Sequence, residues 1–286
     1  MSKPDRRLNA YRPDLADERL RGQVDAARFV AGHPASITAP VVDVHATPDQ
    51  ASGIDTQFLH GDSVLVFDRR QGWAWVQGTR DGYVGYIRES SLGASGFQHT
   101  HVLSVPRSFV YPEPELKTPP LAAFSMGARV IVVEEVEKRG TRYALLASGG
   151  AMVAGHLRPV GQPESDYVSV AEKFLHTPYL WGGASGFGID CSGLVQLSMF
   201  MAGRQASRDT DMQANYLGTP VDPAEGLIRG DLVFWRGHVA IMTDSQTIIH
   251  ANGYTMSVSC ERLADAIRRI EPFYGKPTGF RRPEQP

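Results

Sequence analysis

The sequence predicts an α+β protein, with two small β-barrels in its first half and a mixed helix-and-sheet domain in its second. Three observations predict it. Short β-branched and aromatic runs fill residues 41–92. A similar rhythm returns about 65 residues later. Beyond Gly161-Gln162-Pro163 the texture changes to helical stripes and then to alternating strands.

A chain of 286 residues suits two or three domains. Its 42% hydrophobic and 21% charged content excludes wholesale disorder. A net charge of −2 offers no basic field to nucleic acid or anionic lipid, and no apolar run is long enough to span a bilayer. Neither nucleic acid nor membrane is therefore expected as a partner. The first 25 residues are rich in charge and lack an apolar core, so no secretory signal is expected. Two cysteines, Cys191 and Cys260, exclude a disulfide framework and point to the reducing cytoplasm.

Residues 1–31 are expected to form an N-terminal arm. Leu15, Leu20, Val24, Ala27 and Phe29 suggest one short amphipathic helix there, ended by Gly32-His33-Pro34. Residues 32–95 form the first barrel, with strands at Val64–Phe67, Trp73–Val76 and Tyr83–Ile87 and turns at Gln71-Gly72 and Asp81-Gly82. Residues 96–161 form the second. There Phe124, Gly127, Val130 and Val132 repeat the rhythm of Leu59, Gly61, Val64 and Val66, and Met152–Leu157 matches Tyr83–Ile87 with a small shift. Both copies resemble bacterial SH3-like barrels. In the last domain, residues 162–286, Ser165 can cap a helix running through Val168, Ala171, Phe174 and Leu175. A glycine-rich loop, Trp181–Gly188, leads to a second helix from near Cys191 to about Ala202, apolar almost all round and hence buried. Leu232–Trp235, His238–Thr243 and Thr247–His250 read as antiparallel strands.

Cys191 carries the chemistry. It stands where the glycine-rich loop becomes the buried helix. Unpaired N–H groups and the partial positive charge of a helix N-terminus favour a thiolate, so its pKa is expected below the free value of about 8.5. The same N–H groups can hold an oxyanion. Asp190 can act as N-cap, and small Ser192 and Gly193 let a substrate approach. The alternation puts His238, Ala240 and Met242 on one face. With Thr243-Asp244-Ser245 as the turn, His250 lies opposite His238 and can fix its tautomer. Two histidines and a distant cysteine, with no CxxC or HExxH, do not make a metal site, so neither metal nor cofactor is expected. Cys260 reads as an ordinary free thiol.

Asp190-Cys191-Ser192-Gly193, Gly237-His238-Val239-Ala240-Ile241 and His250-Ala251, preceded by Pro178-Tyr179-Leu180-Trp181-Gly182-Gly183, together resemble the NlpC/P60 family, papain-like cysteine peptidases of bacterial cell-wall peptides. The match covers about residues 163–282. With two SH3-like barrels ahead of it, the whole chain resembles the dipeptidyl-peptidase VI branch, γ-D-glutamyl-L-diamino acid endopeptidases that recycle murein peptides. The resemblance implies a papain-like NlpC/P60 catalytic domain with Cys191 as nucleophile, His238 as base and His250 as the orienting third member. Tyr179 would sit near the oxyanion, and Trp181, Asp190 and Ser192 would line the substrate groove. Arg208-Asp209-Thr210 matches a string whose aspartate binds the free amine of the substrate's L-Ala. Asp49 and Tyr83 are the first-barrel candidates for the same amine, an aspartate standing where the family has glutamate.

Without the resemblance, Asp209 reads as a cap of helix Asp211–Leu217, Asp49 as the closer of a turn, and Trp181 and Tyr83 as plain aromatics. The function expected is that of a cytoplasmic, monomeric cysteine endopeptidase. It would cut the γ-D-Glu–diamino acid bond of L-Ala-γ-D-Glu-diaminopimelate, or of the L-Lys counterpart. The alternatives are a papain-like amidase or cell-wall hydrolase of other specificity, and an SH3-type binding protein with an inactive peptidase domain.

Overall fold

The computed structural model describes residues 3–284. The chain divides between Val160 and Gly161 into two compact units.

In the N-terminal unit, residues 33–93 form a seven-stranded antiparallel sheet that curls around Ile37, Val44, Phe58, Val64, Val76 and Ile87. The arm before it is not helical. Ala16–Asp17 pairs in parallel with Phe29–Val30, and only Glu18–Leu20 makes a helical turn. Pro13 and the left-handed Gly22 (φ 80°) bracket a stretch too short to hold an isolated helix. Its apolar residues find partners on the seven-stranded sheet instead, Ala10 and Leu15 packing with Phe67 and Trp75. Arg12 lies 4.4 Å over the Trp75 ring and bonds Asp68 at 2.7 Å, which fastens the arm.

Residues 101–159 make three further small sheets around a core of Leu103, Val110, Phe124, Val130, Leu146 and Met152. The local plan does recur. A strand, a one-turn helix at Glu89–Ser91 and a two-residue strand return as Ala151–Val153, a turn at Ala154–His156 and Leu157–Pro159. Aligning the two turns sets Ile87 against Met152, both fully buried. The string match at Tyr83–Ile87 is thus offset by several residues from the structural one.

The C-terminal unit positions the site, and its elements are numbered here from its own start. Helix α1 is Tyr167–Glu172. Its cap is Asp166, which accepts the Val168 and Ser169 N–H groups, and not Ser165. A carboxylate with two acceptor oxygens satisfies two orphan donors at once. Val168, Ala171 and Phe174 are buried, but Leu175 is 39% exposed because the helix has ended before it. Helix α2 is Cys191–Met201, and every residue except Phe200 is buried. Each leucine-sized side chain so buried contributes about 1.5–3 kcal/mol. Helix α3 is Thr210–Tyr216. Besides a short pair, Ala184–Ser185 with Gly188–Ile189, the strands are β1 (Thr219–Pro220), β2 (Leu232–Trp235), β3 (His238–Met242), β4 (Thr247–Asn252), β5 (Ser257–Arg262) and, after helix α4 (Leu263–Tyr274), β6 (Gly279–Arg282). These six form the main sheet, in the order β1-β6-β2-β3-β4-β5. Ala266 and Ile270 of α4 cover the sheet face that carries Ala240, Met242 and Ile248. Among the described residues no helix is long and apolar enough to cross a membrane.

Candidate active site

Cys191 is the first residue of α2, and Asp190 is its N-cap. The Asp190 carboxylate accepts the Gly193 N–H at 2.7 Å and the Gly182 N–H at 3.0 Å. It also takes both arms of Arg208, at 3.0 and 2.7 Å. Arg208 is 1% exposed and further bonds Ser192 Oγ at 2.9 Å. This fork is a clamp that fastens the glycine-rich loop to the mouth of α2. Glycine is required where the two meet, since a Cβ on Gly193 would lie 2.3 Å from the Gly183 carbonyl oxygen.

The clamp changes the part expected of Asp190 and Ser192. Their side chains are buried and already hydrogen-bonded to Arg208, so they brace the mouth of α2 and do not present free polar groups. Arg208 had no role in the sequence reading. An arginine two residues before α3 carries no local mark of burial, and its partner lies 18 positions away.

The Cys191 sulfur is lined by Thr210 Oγ1 at 3.8 Å and by the Gly237 carbonyl at 4.0 Å, and it accepts a hydrogen bond from the Val239 N–H. The peptides on both sides of His238 therefore border the sulfur. Burial pushes the thiol up to about 11, the Asp190 carboxylate adding to the effect. The Val239 N–H, Thr210 and Arg208 oppose this shift without reversing it. The expectation of a thiol below its free value is corrected: burial raises it.

His238 opens β3, and its Nε2 lies 2.9 Å from Nδ1 of His250 on β4. The other nitrogen of His238, Nδ1, has no hydrogen-bond partner among the described residues. Burial pulls the His238 imidazole down to about 3, with His250 and Arg269 acting in the same direction and Glu261 against. Both shifts run in the direction that favours a neutral thiol and a neutral imidazole over an ion pair.

The two histidines are not directly opposite. Met242 pairs with Ile248 and Ile241 with Ile249, a register that sets His250 against Ala240. The turn is Asp244–Gln246, one residue later than expected, because Asp244 Oδ1 accepts the N–H groups of both Gln246 and Thr247. Moving a three-residue turn by one position keeps the face and shifts the partner by two.

Tyr179 is half-buried, and its hydroxyl has no hydrogen-bond partner among the described residues. Burial raises its pKa, with Cys191 and Asp190 adding to the rise, so it remains a phenol able to donate. Trp181 is 71% exposed. Asp209 occupies the N-cap position of α3 without capping it through its side chain, and is half-buried one residue from Thr210. In the N-terminal unit, Asp49 is exposed and accepts the Ala51 N–H at 2.9 Å, closing a turn, while Tyr83 is buried. The cluster around Cys191 described here is built from residues of the C-terminal unit. Cys260 is exposed and unpaired. A further group, Glu261 of β5, has its Oε1 2.9 Å from His250 Nε2. No sequence signal marked it, because β5 itself was not anticipated.

Comparisons with known proteins bear on the family and the fold. Residues 176–269 match the NlpC/P60 family pattern, and residues 44–92 match the bacterial dipeptidyl-peptidase Sh3 domain. The chain is 25% identical over 240 residues to dipeptidyl-peptidase 6 of Lysinibacillus sphaericus, covering 76% of this chain and 87% of that protein. It is 29% identical over 243 residues to γ-D-glutamyl-L-lysine dipeptidyl-peptidase of Bacillus subtilis, covering 76% and 79%. In fold it is similar to the crystal structure of an NlpC/P60 family protein from Bacillus cereus, with a TM-score of 0.73 at 23% identity over 89% of this chain and all of that one.

Proposed function

For a chain that carries an NlpC/P60 peptidase domain and a bacterial SH3 domain, we propose a cysteine endopeptidase that cuts the γ-D-Glu–diamino acid bond of murein stem peptides with a free N-terminal L-Ala. One observation carries the reading: the Cys191 sulfur at the mouth of α2 is bordered by the Gly237 and Val239 peptides, and the histidine between them is hydrogen-bonded to a second histidine. The substrate class is supported by relatives named for γ-D-glutamyl-L-lysine dipeptidyl-peptidase and dipeptidyl-peptidase 6 activity.

The chemistry follows from two neutral partners. As the substrate's γ-carbonyl enters and displaces water, the thiol proton passes to Nδ1 of His238 while the sulfur attacks the carbonyl carbon. The Cys191 N–H and the Tyr179 hydroxyl hold the resulting oxyanion. His238 then gives its proton to the leaving amine, and water resolves the thioester with His238 again as base. Asp209 supplies the carboxylate for the L-Ala ammonium. Its support is its position one residue before Thr210, whose Oγ1 lies 3.8 Å from the Cys191 sulfur.

Residues 96–161 are read as a second SH3-like barrel, supported by the recurring strand, turn and strand at Ala151–Pro159. A cytoplasmic address in peptide recycling completes the proposal. Its support is two unpaired cysteines, and cell fractionation tests it.

Mass spectrometry of products from L-Ala-γ-D-Glu-meso-diaminopimelate is the direct test. Release of L-Ala-γ-D-Glu and free diaminopimelate is expected. Cleavage elsewhere, or none, would overturn the proposed specificity.

A further inference from the structure

The histidine pair does not end at His250. The register of β4 and β5 sets His250 against Ser259, and Glu261 stands two residues further along the same face. His238, His250 and Glu261 thus form a diagonal across three adjacent strands. The 2.9 Å approach of Glu261 Oε1 to His250 Nε2 lies off the N–H axis, since that nitrogen completes no hydrogen bond of good geometry. The contact is chiefly electrostatic. His250 is 1% exposed, so water cannot stand in for the carboxylate. Glu261 is held in turn by a salt bridge from Arg269 of α4, whose guanidinium lies 4.4 Å over the Tyr254 ring. The charged and titratable groups facing this cluster are therefore His238 from β3, His250 from β4 and Arg269 from α4. Burial raises the Glu261 carboxyl, but the neighbouring His250 ring and the Arg269 guanidinium outweigh it and keep the carboxyl below its ordinary range.

We propose that Glu261 is a positioning residue that selects the tautomer of His250 and, through it, leaves Nδ1 of His238 as the free lone pair. This rests on the peptidase reading above. The logic is proton bookkeeping along one line. A carboxylate accepts and does not donate, so the His250 nitrogen facing it, Nε2, carries the proton. In the neutral ring His250 Nδ1 is then an acceptor. His238 Nε2, 2.9 Å away, must donate to it. The only unprotonated nitrogen left in neutral His238 is Nδ1, the one without a protein partner. Reversing the first proton reverses the whole line and places N–H on the nitrogen that has to receive the thiol proton. Arg269 holds the carboxylate in place and ionised, and acts at one further remove.

The test uses the full chain with 15N-labelled histidine. Imidazole 15N chemical shifts at neutral pH should show both His238 and His250 protonated at Nε2 and bare at Nδ1. A wild-type His250 protonated at Nδ1 overturns the proposal whatever any variant does. In Glu261→Ala the His250 proton should redistribute between its two nitrogens. In Glu261→Gln, which keeps size but not charge, kcat should fall about tenfold or more with KM within about twofold, since substrate contacts are untouched. Unchanged kcat together with unchanged tautomers in the two variants overturns the proposal. Should the wild-type chain cleave no murein peptide, the peptidase reading fails, while the tautomer measurement still decides the relay.

Discussion

His250 stands diagonal to His238 across β3 and β4, with Nδ1 to Nε2 at 2.9 Å, and not squarely opposite it. A squarely paired ring would stack against its neighbour. The diagonal offset lets one nitrogen address the other edge to edge, as a donor and acceptor require. Removing His250 should therefore affect rate more than binding. We expect His250→Ala to lower kcat by roughly 10²-fold with little change in KM, and His250→Asn, which retains an acceptor oxygen, to recover part of that loss. Steady-state kinetics on the tripeptide checks both.

The pH dependence follows from a thiol pushed up to about 11 and an imidazole pulled down to about 3. A thiolate-bearing site would give a narrow bell around neutrality. This site should give kcat/KM that is nearly level from pH 5 to 9. In the free protein, alkylation of Cys191 by iodoacetamide should be slow at pH 7 and should rise steeply toward alkaline pH. Fast alkylation at pH 7 that levels off below pH 8 would restore the ion pair.

Stability should carry the same signature. His238 takes up its proton more readily when unfolded, so between about 3 and 6.5 the unfolded chain binds more protons, and stability falls as pH is lowered through that window. The thiol acts in the opposite sense. Unfolded Cys191 loses its proton first, so stability falls as pH rises above about 9. Burial also lowers His60, His99 and His156, so the His238 share is the difference in Tm-versus-pH slope between wild type and His238→Gln.

The Arg208–Asp190 fork is buried at both ends. Arg208→Ala leaves a carboxylate with its two N–H donors but no cation, and should destabilise the C-terminal unit by about 3–5 kcal/mol. Arg208→Lys should recover only part of this, because a point charge cannot serve Asp190 and Ser192 together. Urea denaturation followed by tryptophan fluorescence measures both.

If Asp209 holds the substrate ammonium, acetylating the L-Ala amine should lower kcat/KM by orders of magnitude in the wild type. Asp209→Asn should lose activity on the free peptide yet discriminate far less between free and acetylated forms. Equal discrimination by wild type and variant would remove Asp209 from the amine site.

The sequence by itself determined the helix that begins at Cys191, the strand that begins at His238 and the shared face of His238 and His250. Each is a local or periodic property: a glycine-rich loop before an apolar run, an alternation of period two, an odd-length turn. The tertiary structure alone decided what those groups are worth electrically. Whether the thiol is raised or lowered depends on how much water the fold removes, and that burial comes from segments far along the chain. The same holds for Arg208, brought to Asp190 over 18 positions, and for Glu261, brought to His250 by a strand pairing that no pattern near either residue announces. The arm shows the reverse case. Its apolar spacing suits a helix, but Phe67 and Trp75 of the seven-stranded sheet offered its side chains a better surface than a helix too short to stand alone.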